Sequence, residues 1–164
     1  MDAPTDTLTL PAHSALLARD TPQPGALRAF YDHYLPLIAE FLSSTGATPR
    51  VARAYFPAAA PGEDGIGGGA IAVGFEIYER DIPMIAPLVD DIGDATVTLH
   101  RFDEARYART SFTGPYEDLP GAWQAFTAAI ESAGLTPSGP SFEEYVTMPG
   151  ASAEPVTDLY VRLS

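Results

Sequence analysis

The chain has 164 residues, with 22 Asp and Glu against nine Arg, no Lys and no Cys, giving a net charge of −13. The length suits one domain with a real core. The charge repels phosphate backbones and anionic headgroups, which argues against nucleic-acid and membrane-surface roles, and the missing Cys exclude disulfides, thiolate metal sites and thiol nucleophiles.

In chain order, the opening Met1–Asp6 lacks the basic n-region of a secretion signal, and no apolar run reaches the roughly 18 residues needed to span a bilayer. A soluble, cytoplasmic domain is the expectation. His13–Arg19 is a strand candidate, followed by the turn cluster Thr21–Gly25. Leu27, Phe30, Tyr31, Tyr34, Ile38, Phe41 and Leu42 recur at three- and four-residue steps, a helical stripe. Pro36 lies inside it and predicts either a kink or a late helix start. Gly46 suits the C′ position. Val51–Phe56 reads as a strand. A loop from Pro57 to Gly69, rich in glycine, leads into Ala70–Tyr78, where Ile71, Val73, Phe75 and Ile77 alternate onto one face.

The order then repeats. Asp81–Gly93, holding Pro83 and Pro87, is the expected linker. Thr96–Leu99 and Arg106–Phe112 are strand candidates. Asp118 is a suitable N-cap with Pro120 in the first turn of a helix carrying Trp123, Phe126, Thr127 and Ile130 and ending at Gly134. Phe142–Thr147 and Val156–Leu163 are the closing strands. Thr45-Gly-Ala-Thr-Pro49 overlays Ala133-Gly-Leu-Thr-Pro137 at an offset of 88, which also pairs Leu35 with Trp123, Ile38 with Phe126 and Leu42 with Ile130. The fold expected is α+β: a tandem pseudo-twofold repeat of strand–helix–strand–strand units, with helices on one face of antiparallel sheets and a ligand cleft between the halves. One domain spans 1–164, with the first repeat at about 10–80, the linker at about 81–94 and the second repeat at about 95–164.

Chemistry is sparse. His13, His33 and His100 match no ligation spacing, so no metal site is expected, and no cofactor. Gly65–Gly69 precedes a strand instead of opening a helix, and no Lys follows, so it is no phosphate loop. The positive pattern is an acid, one spacer and a tyrosine, three times: Glu76–Tyr78, Glu143–Tyr145 and Asp158–Tyr160. In a strand, residues i and i+2 share a face. In two of the three strands the apolar residues hold the other face, so acid and tyrosine point away from the helix-packed core. They either line an aromatic, carboxylate-bearing cleft suited to a cationic or electron-poor aromatic ligand, or form an ordinary solvated outer face. Whether Glu143 or Glu144 faces the cleft stays open, as does whether Trp123 serves core or ligand.

Arg106-Tyr-Ala-Arg-Thr-Ser-Phe-Thr-Gly-Pro-Tyr116, then Trp123, then Gly139-Pro-Ser-Phe-Glu-Glu-Tyr145, resembles the GyrI-like small-molecule-binding family, which also supplies the effector-binding domains of multidrug-responsive transcription regulators. The resemblance is good over residues 96–163 and looser in the first half, where Thr21–Gly25 replaces the Gly-Pro-Tyr turn. It implies a ligand held between two repeats, among aromatic rings near a central glutamate. By motif position that glutamate is Glu143, the candidate catalytic residue if there is one, with Tyr145 beside it. Asp158 and Tyr160 follow from the final strand, Tyr107 is a weaker wall candidate, and Tyr116 packs its turn onto the helix. No room remains for a helix-turn-helix segment, so a stand-alone member is expected. Three functions follow: capture of lipophilic, cationic aromatic compounds; hydrolysis of reactive electrophiles by cleft glutamates; or inhibition of a nucleic-acid enzyme by an acidic surface. The partner expected is a small molecule, with the oligomeric state left open.

Overall fold

The computed structural model describes residues 6–20, 26–56, 71–94, 96–147 and 154–164. The turn cluster at 21–25, the glycine loop at 57–70, and the side chains of Leu27, Tyr116 and Pro140 lie outside the described residues. Eight strands are described: β1 (Asp6–Leu10), β2 (His13–Asp20), β3 (Pro49–Phe56), β4 (Ile71–Ile77), β5 (Val97–Phe102), β6 (Ala105–Thr113), β7 (Pro137–Tyr145) and β8 (Val156–Leu163). Helix α1 (Leu27–Thr45) joins β2 to β3, and α3 (Leu119–Ser132) joins β6 to β7. Between β4 and β5 run 3-10 turns at Glu79–Asp81 and Ala86–Ile92 with the single-turn α2 (Ile82–Ile85) between them. The protein is α+β. No described helix is long and apolar enough to cross a membrane.

The strands form one antiparallel sheet, β1-β6-β8-β7-β3-β4-β2-β5, instead of separate sheets. The order is symmetric about the central β7–β3 pair: each half places a third strand beside its second, a first strand beyond it, and an added edge strand outside. The edge strands β1 and part of β5 escape a hydropathy reading because their partners lie about 100 and 80 residues away.

The connections reveal curvature. Pro11 and Ala12 alone link β1 to β2, so Leu10 and His13 stand at most about 11 Å apart. In a flat sheet these strands, six places apart, would be separated by about 29 Å. Asp103 and Glu104 link β5 to β6 under the same constraint. The sheet must curl until its edges approach. Phe102 on β5 stacks on Tyr55 of β3 at 4.7 Å, three strands away, which identifies the concave face. Gly74 permits tight coiling here, since a Cβ would collide with the Leu16 carbonyl of the neighbouring strand.

The helices cover the convex face, packing Phe30, Ile38 and Leu42 of α1 and Leu119, Trp123, Phe126 and Ile130 of α3 onto β-strand residues such as Leu16, Val73, Phe75, Leu159 and Val161. Helix α1 runs unbroken through Pro36. Pro36 sits on the exposed side, where water can bond the Asp32 carbonyl that lacks its usual partner. Both helices close identically at the offset of 88. Gly46 N–H donates to Ser43 and Ala47 N–H to Leu42; Gly134 N–H donates to Glu131 and Leu135 N–H to Ile130. Both glycines adopt positive φ, which the closing turn requires. Asp118 occupies the position before α3 but makes no side-chain cap, because a 3-10 turn at Tyr116–Asp118 leads straight into the helix.

Candidate functional site

The two sheet faces separate the sequence-derived candidates. Glu143 and Tyr145 project from β7 to the helix-covered face, whereas Glu76, Asp158 and Tyr160 project to the concave face opposite. Tyr78 lies beyond the end of β4, with the Arg50 and Arg80 guanidiniums over its ring at 4.9 and 4.4 Å. Tyr107 belongs to the concave face, edge-on to Phe142 and Tyr160. The three acid–tyrosine pairs therefore do not line one cleft. The expectation that acid and tyrosine point away from the helices holds for Glu76 and for Asp158 and Tyr160 and is corrected for Glu143 and Tyr145, while Tyr78 lies outside the strand. In β7 the large residues Phe142 and Tyr145 are three apart and fall on opposite faces, so alternation gave no orientation there.

On the helix face, Glu143 stands in the central strand pair, opposite Ala54 of β3 and Leu159 of β8. Only 4% of it is exposed. The Trp123 indole donates from Nε1 to Glu143 Oε1 at 2.9 Å, and the Tyr145 hydroxyl donates to Oε2 at 2.9 Å. The Tyr31 ring of α1 lies edge-on to Tyr145, with the centroids 6.3 Å apart. Phe56 lies edge-on to Trp123 at 6.0 Å and Phe126 is tilted against it at 6.0 Å. Trp123 thus serves both core and carboxylate. Helix α3 supplies Trp123 and helix α1 supplies Tyr31, so both halves of the chain meet at one carboxyl group.

No ion pair between described residues includes Glu143. Burial pushes its pKa above the ordinary carboxylate value, and the bonds from Trp123 and Tyr145 pull it part of the way back. Burial also raises the pKa of Tyr145 and Tyr31, and the nearby Glu143 adds to both.

The concave face has the opposite electrostatics. Arg53 of β3 is buried, donates to Glu144 Oε1 from Nε and Nη2 at 3.1 and 2.8 Å, and pairs with Glu76 Oε1 at 2.9 Å. Its Nη1 donates to the Tyr55 hydroxyl at 3.0 Å, and its guanidinium lies 4.6 Å over Phe142. Burial works against the Arg53 charge, but Tyr55, Glu76 and Glu144 outweigh it and hold its pKa above the ordinary value. Glu76 has a second partner in Arg50. Burial raises Tyr55 to about 12. Asp158 accepts from the Ser111 hydroxyl. These carboxylates are already neutralised or hydrogen-bonded, whereas Glu143 has no cation beside it among the described residues. Arg53 went unnoticed in the sequence, although a charge inside the run Val51–Phe56 was its signal. Tyr31 was visible only as part of a helical stripe. Among the described residues no group of His, Asp or Glu could hold a metal ion.

No curated protein matches the sequence. Solved structures share the fold at low identity. They include a hydrolase from Listeria innocua, with 14% identity, 99% of this chain and 93% of that chain covered and a TM-score of 0.63. The C-terminal domain of EcmrR shows 12% identity, with 100% and 99% covered and a TM-score of 0.69. SAV2435, solved bound to tetraphenylphosphonium, shows 10% identity, with 98% and 94% covered and a TM-score of 0.62. The GyrI-like small molecule binding domain matches residues 72–164, more than half of the chain and including Trp123, Glu143 and Tyr145, and the chain belongs to that family.

Proposed function

We propose that the protein captures lipophilic, cationic aromatic compounds at Glu143. The observation that carries this is a buried carboxylate with two neutral donors and no cation among the described residues, enclosed by Trp123, Tyr145, Tyr31 and Phe56. A cation 4 Å from a carboxylate gains about 1 kcal/mol in water but about 4 kcal/mol at an effective dielectric of 20. Ring faces add cation–π attraction without requiring the ligand to donate hydrogen bonds. SAV2435, of the same fold, was solved with such a cation.

The test is titration with tetraphenylphosphonium. Glu143→Gln keeps the shape and one of the two acceptor oxygens but removes the charge, and is expected to weaken binding at least tenfold, about 1.4 kcal/mol. Wild-type affinity should also fall as pH is lowered through the raised Glu143 pKa, a loss absent from the variant. Equal affinities of the two proteins would end the charge-matching reading.

A second reading, hydrolysis of a reactive electrophile, is favoured by the same raised pKa. A carboxyl group that holds its proton above the ordinary carboxylate range, with Trp123 and Tyr145 hydrogen-bonded to it, suits a general acid. Product exceeding one equivalent per protein in a turnover assay with a strained electrophile would support it; a stoichiometric limit would exclude it.

A further inference from the structure

Around Glu143 the sheet carries three more polar side chains. Ser141 lies two residues before Glu143 on β7, Thr157 pairs with Tyr145 across β7 and β8, and Thr110 pairs with Leu159, itself the partner of Glu143. Strand alternation puts all three on the helix-covered face: Thr110 with Ala108, Thr157 with Leu159 and Val161, Ser141 with Glu143 and Tyr145. All three are buried, and none of their hydroxyls has a hydrogen-bond partner among the described residues. The fourth unpartnered buried atom among the described residues, His13 Nε2, lies on a different part of the molecule, stacked on Phe102.

A buried hydroxyl without a partner carries its full desolvation cost, and native proteins hold few such groups. Val or Ala at these positions would fill nearly the same space at no such cost. Three orphaned hydroxyls within two strand spacings of an unneutralised carboxylate are instead what a site shows when its hydrogen-bonding partner is a ligand. At roughly 4.8 Å between strands and 3.4 Å per residue, the three hydroxyls are spread over about 10 by 14 Å of the sheet.

We propose that Ser141, Thr157 and Thr110 form a hydrogen-bonding strip in the floor of the Glu143 site, and that its ligand is an oxygenated aromatic compound bearing hydroxyl or carbonyl groups instead of a bare hydrocarbon cation. This rests on reading Glu143 as the small-molecule site. The carboxylate sets the charge, the rings hold the body of the ligand, and the strip reads its oxygen substituents.

The test compares tetraphenylphosphonium with (4-hydroxyphenyl)triphenylphosphonium, cations differing by one hydroxyl, on wild type and on the triple variant Thr110→Val, Ser141→Ala, Thr157→Val. Wild type is expected to prefer the hydroxylated cation about tenfold, and the triple variant to bind both alike. Equal affinities in wild type, or a preference that survives the triple variant, would overturn the proposal. Without ligand, the triple variant should melt at a higher temperature than wild type; a lower melting temperature would mean that the hydroxyls have structural partners, and would also overturn it. Loss of the preference in the triple variant, with Glu143→Gln leaving tetraphenylphosphonium affinity unchanged, would sink the charge-matching reading alone. If neither cation binds, neutral 4-phenylphenol decides: binding abolished in the triple variant supports the strip, and no binding overturns it.

Discussion

His13 shows what one buried titratable ring does to the molecule. It follows directly on the Pro11–Ala12 crossover and stacks at 5.2 Å on Phe102, the residue before the second crossover, so it sits where the curled edges meet. Its Nδ1 lies 2.9 Å from the Pro11 carbonyl and must carry the proton, leaving Nε2 buried as an unused acceptor. A second proton would have no partner. Burial lowers the His13 pKa below 6.5; the Pro11 carbonyl opposes this, Arg53 reinforces it, and Glu76 and Glu79 oppose it more weakly. The unfolded chain binds the proton first as pH falls, so this contribution is fully present above pH 6.5 and is lost progressively below it, until the lower folded pKa is reached. Between pH 7 and pH 5 this contribution should lower the melting temperature of wild type relative to His13→Phe, which keeps a ring on Phe102, and the two slopes should differ by that amount. His100, shifted in the same direction by burial, remains in the variant. An unchanged slope would remove His13 from the account.

At the scale of elements, α1 is the cover over Glu143 from the first half of the chain. Its anchors are Phe30, Ile38 and Leu42, and Tyr34 ties it to the following linker through Asp94 at 2.9 Å. Its start is weakly made: Ala26 stands at the N-cap and offers no side-chain acceptor, and no acidic residue lies in the first turn. Ala26→Asp should supply a favourable charge at the positive helix end but no cap, since Ala26 has nearly the backbone angles at which Asp118 makes none, and should stabilise the protein by about 0.5 kcal/mol. For a chain of this length that is a rise of roughly 1–2 °C in melting temperature. No rise in a thermal melt would mean that the helix end gains nothing from the added charge.

For the whole molecule, −13 is a net repulsion that a few surface ion pairs do not cancel. Arg28–Asp32, Arg101–Glu79 and Arg109–Asp6 are exposed and worth well under 1 kcal/mol each. Raising the salt from 20 to 500 mM screens both attraction and repulsion, and with 22 acids against nine Arg the repulsion is the larger. Melting temperature should rise by a few degrees across that range; a fall would show that the surface pairs dominate.

What the sequence determined by itself was whatever depends on near neighbours along the chain. The stripes of α1 and α3, their matched glycine-closed ends, the alternation of Ile71–Ile77 and of Leu159–Leu163, and the motif around Glu143 are all set within a few residues by helical or strand periodicity. Tertiary structure decided the rest. The face on which β7 presents Glu143 depends on pairing with β3 and β8 and on a register shift between Pro137 and Ser141. Arg53 meets Glu144 across a sequence separation of 91, and Tyr31 reaches Tyr145 from a helix in the other half. The curl of the sheet follows from two-residue crossovers between strands at opposite ends of its order. A local pattern carries no record of such partners, because the energy that selects them, desolvation of charge and contact between faces, exists only once distant segments have met.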